Sequence, residues 1–392
     1  MTKRLFLLNL IWITGFAMAG CIGRRFSSDE IDQRIEVAHQ QFVFADMHAH
    51  PSRFHRDNVP RIRNGELNLY KRAKIDVVVC NISADAPYSG GYTERDGTVV
   101  PRLPRYTFKT LEPGTAYAFA TDRLSRVMRT IEDGDAIFAD HPQAVLTARR
   151  NRQVALIPAL EGADSLEGDI DNLYKLHQQG LRLLQLVHFR VNEVGHIQTY
   201  PYTPGGLTPF GKEVVQTANQ LSIIIDLAHA NSQTIRDVLA ISQHPTIFSH
   251  TGAKAIEDRD RHLSDSEIQA IAAKGGVMGI WPNGSAVPLM RHLIRHIDHI
   301  KALVGIDHVG IGSDLRGVRN YKFGFGHNAN FRAIAKALFN RGYTTEEVGK
   351  IMGGNFFRVW LTSAANRPRA HVTPTASHHM LGDTLYPSQS FR

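Results

Sequence analysis

FVFADMHAHP, residues 42 to 51, is an apolar run that gives way to two histidines spaced one residue apart. Aromatic and branched side chains in its first half suit a strand, and His48 and His50 fall where that strand runs out. Whether they hold a metal or merely end a strand depends on what else in the chain ends the same way.

Seven further apolar runs follow the same plan: KIDVVVCNIS (74–83), VALIPALEG (154–162), LRLLQLVHF (181–189), SIIIDLAHA (222–230), TIFSHTG (246–252), GVMGIWP (276–282) and HVGIGSDL (308–315). Most precede a segment with helical spacing. Examples are PFGKEVVQTANQL from Pro209, SQTIRDVLAIS after Asn231, and SDSEIQAIAAKGG, where Ser264 and Glu267 form a capping-box pattern. Nearly continuous apolar strands separated by helices predict an α/β fold with a parallel sheet under helices. Eight such units predict a closed (β/α)8 TIM-like barrel rather than an open sheet. The 392 residues, 43% of them apolar and 21% charged, suit one large barrel with insertions. Residues 85–113, rich in Gly, Pro and Tyr, read as a long inserted loop, and IQTYPYTPGG after the fourth strand as another. No solenoid repeat and no second domain is legible.

The polar residues at the strand ends decide the functional reading. Strand one ends in His48 and His50, strand three in Glu161, strand four in His188, strand five in His229, strand six in His250 and strand eight in Asp314. In a barrel these ends open on one face, so residues far apart in sequence converge in one cup. Imidazole and carboxylate together suit zinc and other first-row divalent ions, and a pair of ions sharing one carboxylate suits hydrolysis of a carbonyl bond. Taken singly, each residue has a plainer reading: His188 as a structural histidine, Glu161 as a turn cap, Asp314 as an Asx-turn residue. Their occurrence together at equivalent places favours the metal site. Asp226, inside its strand, reads as a supporting or barrel-packing acid rather than a ligand, and His292, His296 and His299 as a solvated or supporting helix face.

The order of ALEGADSL, GLRLLQLVHFRVNEVG, GGLTPFGKEVVQTANQLSIIIDLAHAN, TIFSHTGAKAI, RHLSDSEI, HIDHIKALVGIDHVGIGSDLRGV and GGNFFRVW over most of residues 40–362 resembles the membrane dipeptidases, renal-dipeptidase-like zinc peptidases of the amidohydrolase superfamily. The resemblance implies a distorted barrel with two zinc ions. It implies His48 on the first metal, Glu161 bridging, and His229 with His250 on the second. Asp314 is then the acid and base that takes a proton from the attacking water and hands it to the leaving amine. His188 contacts the developing oxyanion, and Arg261, in DRDRHL, pairs with the substrate's terminal carboxylate.

Two positions depart from the family pattern. His48-Ala49-His50 stands where the family has His-x-Asp; His-x-His is usual in other amidohydrolases, so His50 is expected to ligate as well, at the loss of one negative charge. Arg316, in GSDLRG, stands where the family commonly has an acid. The resemblance implies hydrolysis of dipeptides, with a D-residue tolerated at the C-terminal position, and commonly a homodimer. The rival expectations are another amidohydrolase activity, on an amide or lactone, and a lipoprotein that keeps the barrel without turnover.

The N-terminus carries a different message. Lys3 and Arg4 precede LFLLNLIWITGFAMAG, and Met18-Ala19-Gly20-Cys21 resembles a bacterial lipobox. The expected organisation is a signal peptide over 1–20, a lipidated Cys21 and tether over 21–39, a catalytic barrel over 40–365 and a disordered tail over 366–392. An uncleaved anchor, or an ordinary signal peptide with an incidental Cys, are the alternatives. Ile22, rather than an acid, leans toward the outer membrane facing the periplasm. Loss of Lys3 and Arg4 takes the formal charge from +8 to +6. Basic residues are spread through the chain, so no nucleic-acid partner is expected. Cys80 is left without an intramolecular partner and reads as a small buried hydrophobe.

Overall fold

The structure, a computed structural model, describes residues 26–53, 59–89, 92–95, 98–101, 108–199, 202–284, 287, 289–318 and 330–365. The expected signal segment, Cys21 and the expected tail lie outside the described residues.

In chain order the strands are β1 (Ala45–Ala49), β2 (Val77–Ser83), β3 (Tyr92–Arg95), β4 (Thr98–Pro101), β5 (Ile137–Phe138), β6 (Ala155–Glu161), β7 (Leu183–Gln185), β8 (Ile224–Asp226), β9 (Ile247–Thr251), β10 (Val277–Ile280) and β11 (Val309–Ile311). Each of the eight apolar runs contains one barrel strand. They pair in parallel in the order β1-β2-β6-β7-β8-β9-β10-β11, with β5 attached to β6 off this path.

Side chains alternate across each strand, and the alternation sorts them into two cores. Val78, Cys80, Ile82, Leu156 and Leu160 pack under the helices with residues such as Leu67, Leu124 and Val214. Val77, Val79, Ala155, Ile157, Ala159, Ile224 and Ile247 fill the barrel, joined by Phe356, Phe357 and Trp360 of the helix Asn355–Ala365. Continuing the inward set toward the strand ends replaces apolar residues with polar ones. Val77 and Val79 lead to Asn81 and Ser83, Ala159 to Glu161, Ile224 to Asp226, and Ile247 to Ser249. That alternation is what places chemistry at one end of the barrel.

Two joints in the wall use carboxylates. β8 and β9 pair only at Asp226 and Ile247, and Asp226 Oδ1 accepts the Ser249 and Ala228 amides at 2.9 Å. Between β11 and β1 the Asp314 amide donates to His48 O at 2.7 Å and the His50 amide to Leu315 O at 2.8 Å. Asp46 Oδ1 accepts the Ser313 amide at 2.9 Å in the same joint. Burial pushes the Asp46 carboxyl up to about 7, against hydrogen bonds from Ser313 and His48.

At the opposite end Asp76 ties four elements together. It accepts Phe44 N at 2.8 Å and Arg149 Nε and Nη2 at 2.9 and 2.7 Å, and pairs with His39 Nε2 at 3.0 Å. Burial opposes the charged form, but His39 and Arg149 outweigh it and hold the carboxyl below its ordinary range. A depressed folded value means stability that is present above the unfolded carboxylate value and lost as pH falls through the folded one. Asp76→Ala is therefore expected to lower unfolding free energy at pH 7 by about 3 kcal/mol. Urea melts should show the gap to the parent closing in acid; equal midpoints at pH 7 would contradict this role.

Three local features sharpen the sequence reading. The tether segment 21–39 contains most of the helix Ser28–Gln41, started by a Ser27–Glu30 capping box, and its Ile31, Ile35 and Ala38 are buried against the barrel. The inserted segment 85–113 contains the antiparallel hairpin β3–β4. Asp96 and Gly97 stand between those strands, the favoured two-residue hairpin pair, a signal the Gly and Pro content obscured. His296 is wholly buried rather than solvated, and its Nδ1 accepts the Ala253 amide at 2.9 Å. Cys80 is fully buried in β2, as read. No helix among the described residues is long and apolar enough to cross a membrane.

Candidate metal centre

Glu161, the last residue of β6, lies at the centre of the polar end of the barrel. Its Oε1 is 3.3 Å from His48 Nε2, 3.4 Å from His188 Nε2, 3.5 Å from His229 Nε2 and 3.9 Å from His250 Nε2. Its Oε2 is 3.3 Å from His50 Nε2 and accepts Ser83 Oγ at 3.1 Å. Five imidazoles from the ends of four strands thus surround one carboxylate, and all are buried. Burial opposes ionisation of Glu161, yet the charges of His188, His48 and His50 hold its carboxyl well below the usual range.

The backbone aims these groups through short turns. His229 (φ 69°) and Asp314 (φ 52°) sit in the left-handed region, a conformation that costs a non-glycine residue on the order of 1–3 kcal/mol and persists only where neighbours enforce it. The turn after His229 is closed by Asn231, whose side chain accepts Thr234 N at 2.8 Å and caps the helix Ser232–Ile241. The Asp314 side chain lands with Oδ1 3.3 Å from His50 Nε2 and 4.0 Å from His48 Nε2.

Three of the rings have a protein partner on the second nitrogen, while His229 Nδ1 is buried without one. His48 Nδ1 meets Ser249 Oγ at 3.0 Å and Asn81 Nδ2 at 3.1 Å, and His250 Nδ1 meets Ser249 Oγ at 2.9 Å. His188 Nδ1 pairs with Asp85 Oδ1 at 2.8 Å. Burial opposes a charged His188, and the carboxylates of Asp85 and Glu161 outweigh it, pushing the ring up to about 9. His229 and His250 are driven well below the ordinary histidine value, first by burial and then by neighbouring cations, so both rings are neutral.

Arg261 flanks the other side of the cup. Its carbonyl accepts Thr251 Oγ1 at 2.9 Å, its Nη1 donates to Gln198 Oε1, and its Nη2 lies 2.9 Å from His250 Nε2. Trp281, at the end of β10, stacks 5.8 Å from the guanidinium. Burial draws Arg261 down to about 10, so it stays cationic at neutral pH. Arg316 Nε pairs with Glu66 Oε1 at 3.0 Å, and Glu66 also accepts the Ser52 amide.

These donors fit divalent cations. Three overlapping sets, His48–Glu161–His250, His48–His50–Asp314 and Glu161–His188–His229, each bring three ligand atoms within 4.8 Å of one another. The facing nitrogens of His48 and His50, and those of His229 and His250, are 3.2 Å apart in each pair. In the His229–His250 pair, where both rings are neutral, two lone pairs so placed repel, and a cation between them removes the conflict.

Every site residue expected from the sequence, apart from Cys21, lies in this one cup: His48, His50, Glu161, His188, His229, His250, Arg261 and Asp314. Sequence reading missed Asn81, Ser83, Asp85, Ser249 and Gln198. The inward alternation along β2 and β9 marks Asn81, Ser83 and Ser249; nothing local marks Gln198, which lies in a loop.

Residues 101–372 match the sequence profile of the membrane dipeptidase family, peptidase family M19. The chain belongs to that family. Dipeptidase tcpJ of Claviceps purpurea is 29% identical over 248 residues, 61% of this chain and 57% of that protein, so the chain spans little more than half of its curated relative. Among solved structures, the probable dipeptidase PvdM from Pseudomonas aeruginosa superposes with a TM-score of 0.72 at 20% identity, covering 87% of this chain and 100% of the other. A metallopeptidase from Rhodobacter sphaeroides, liganded with a phosphinate mimic of the dipeptide L-Ala-D-Ala, gives 0.69 at 23% identity, covering 82% and 99%. Both share the barrel fold. The membrane dipeptidase match begins after β1, so Glu161, His188, His229, His250, Arg261 and Asp314 lie inside it, and the departing pair His48–His50 lies before it.

Proposed function

We propose that this chain is an envelope dipeptidase that uses two zinc ions to hydrolyse dipeptides, including those with a D-residue at the C-terminal position. The carrying observation is the sharing of Glu161 by five imidazoles, with Asp314 beside His50 and Arg261 beside His250. When bound, the ions acidify water and polarise the scissile carbonyl. His48 and His50 hold one position, His229 and His250 the other, and Glu161 serves both. Asp314 Oδ1 accepts the proton of the attacking water and returns it to the leaving amine. His188, charged and held by Asp85, donates from Nε2 to the developing oxyanion. Arg261, steadied by Gln198 and Trp281, takes the substrate's terminal carboxylate. The relative that binds a phosphinate mimic of L-Ala-D-Ala supports a dipeptide substrate with a D-residue at its C-terminal position.

The exported organisation belongs to the same reading: a signal segment over 1–20, lipidation at Cys21, a catalytic unit over 40–365, and an outer-membrane site facing the periplasm. A homodimer is proposed on the resemblance alone.

The test is a screen of L,L and L,D dipeptides against zinc-loaded protein, with C-terminally amidated dipeptides beside them. Arg261→Ala is expected to raise KM for free dipeptides about a hundredfold, as loss of a charge-assisted bidentate pair does, and to leave the amides nearly unchanged. Equal effects on both would favour another amidohydrolase activity. Protein that holds no metal after repletion would leave a barrel without turnover.

A further inference from the structure

His48 and His250 stand on β1 and β9, which are not neighbours in the sheet, yet their Nδ1 atoms share one partner across the barrel. Ser249 Oγ lies 3.0 Å from one and 2.9 Å from the other. The strand period explains its reach, since Ile247 and Ser249 both point inward. Its backbone is also confined: a Cβ at Gly279 or at Gly312 would collide with the Ser249 carbonyl, so both neighbours press closely on β9.

Proton counting then constrains the hydroxyl. An imidazole that offers its Nε2 lone pair carries its proton on Nδ1. Both Nδ1–H groups point at Ser249 Oγ, which has two lone pairs to accept them and one hydrogen left to donate. The buried Asp226 carboxylate is the acceptor at hand: its Oδ1 takes the Ser249 amide at 2.9 Å, and its Oδ2 is buried without a hydrogen-bond partner.

Two observations independently fix the same proton positions. Arg261 Nη2 lies 2.9 Å from His250 Nε2; a guanidinium has only donors, so that nitrogen bears the lone pair and Nδ1 the hydrogen. On the His48 side, Asn81 Oδ1 is buried without a protein partner while its Nδ2 sits 3.1 Å from Nδ1. The amide turned over offers its oxygen to the same Nδ1–H and resolves the orphaned acceptor.

We infer that Ser249 is a positioning residue that holds His48 and His250 in the Nδ1–H form through a single hydroxyl oxygen, tying the two cation positions to each other. The inference rests on the two-ion reading above. A hydroxyl that donated to one ring would move that ring's proton to Nε2 and remove it as a ligand, so Asp226 is the group that keeps Ser249 an acceptor toward both.

The experiment measures zinc binding to the purified chain by chelator competition, with cobalt(II) absorption as a second readout. Ser249→Ala is expected to weaken both ions together by roughly 10- to 100-fold, the usual effect of losing a group that orients a ligand, and to change the cobalt spectrum of both positions. Ser249→Thr keeps the hydroxyl and should restore most of the affinity; Asp226→Asn should weaken both ions to a smaller extent. Circular dichroism of the metal-free variants checks folding, and Thr carries the comparison if Ala does not fold. Wild-type affinity in Ser249→Ala, loss at one ion alone, or a Thr variant as weak as Ala would overturn the inference. Parent protein holding about two zinc ions, as a shared-carboxylate site requires, alongside an unaffected Ala variant would sink the inference alone. Parent protein holding none would sink the dipeptidase reading and the inference with it.

Discussion

Asp314→Asn is expected to lower dipeptide turnover by about a thousandfold, the midpoint of what a positioned acid and base contributes, with little change in KM. The amide keeps the shape of the side chain and its place 3.3 Å from His50 Nε2 but can neither accept nor return a proton. The main chain should tolerate the change, because Asn enters the left-handed region that Asp314 occupies at φ 52° more readily than most residues. Gly317 leaves the space beside the carboxylate open, since a Cβ there would strike Asp314 Oδ1. Steady-state kinetics with zinc content measured in parallel separates two roles. Turnover lost with both ions retained marks proton transfer, and loss of one ion marks Asp314 as a ligand of the His48–His50 set. Unchanged turnover would refute both.

Glu161→Gln is expected to have the larger effect on the metals themselves, reducing zinc from about two ions per chain, as the shared-carboxylate arrangement requires, to less than one. Activity should fall to background. Among the described residues Glu161 is the one acid within 4 Å of all five imidazoles, so no neighbouring group there replaces its charge. A glutamine would also turn an NH2 group toward either Ser83 or the rings. Elemental analysis after dialysis, with circular dichroism of the metal-free protein, reads the result. Retention of two ions would remove Glu161 from the bridging role.

The two departures from the family pattern, Arg316 and His50, meet different partners. The Arg316 side chain turns to Glu66, tying the segment after β11 to the helix Asn64–Arg72. His50 is different: it enters the cup and touches both Glu161 and Asp314. The site therefore carries five imidazoles and two carboxylates, with an imidazole where the resembled pattern supplies a third acid.

What the sequence determined by itself was the barrel and the histidines and acids at its rim. Both are written in short-range patterns: an apolar run of strand length, a helix after it, and a histidine or acid where the run ends. Eight apolar runs, six of them ending in such a residue, leave few other ways to bury the apolar surface. What only the tertiary structure decided were the contacts across the barrel: Ser249 between His48 and His250, Asp85 behind His188, Gln198 on Arg261, Asp226 and Asp46 at the joints of the wall. No local pattern encodes these, because a serine or an aspartate inside a strand looks the same in sequence whether it meets solvent or a ring from the far side. Their partners are set by barrel closure, which brings residues as far as 267 positions apart within hydrogen-bonding distance. DMHAHP thus announces two histidines, while the protons on those histidines are decided by strands elsewhere in the chain.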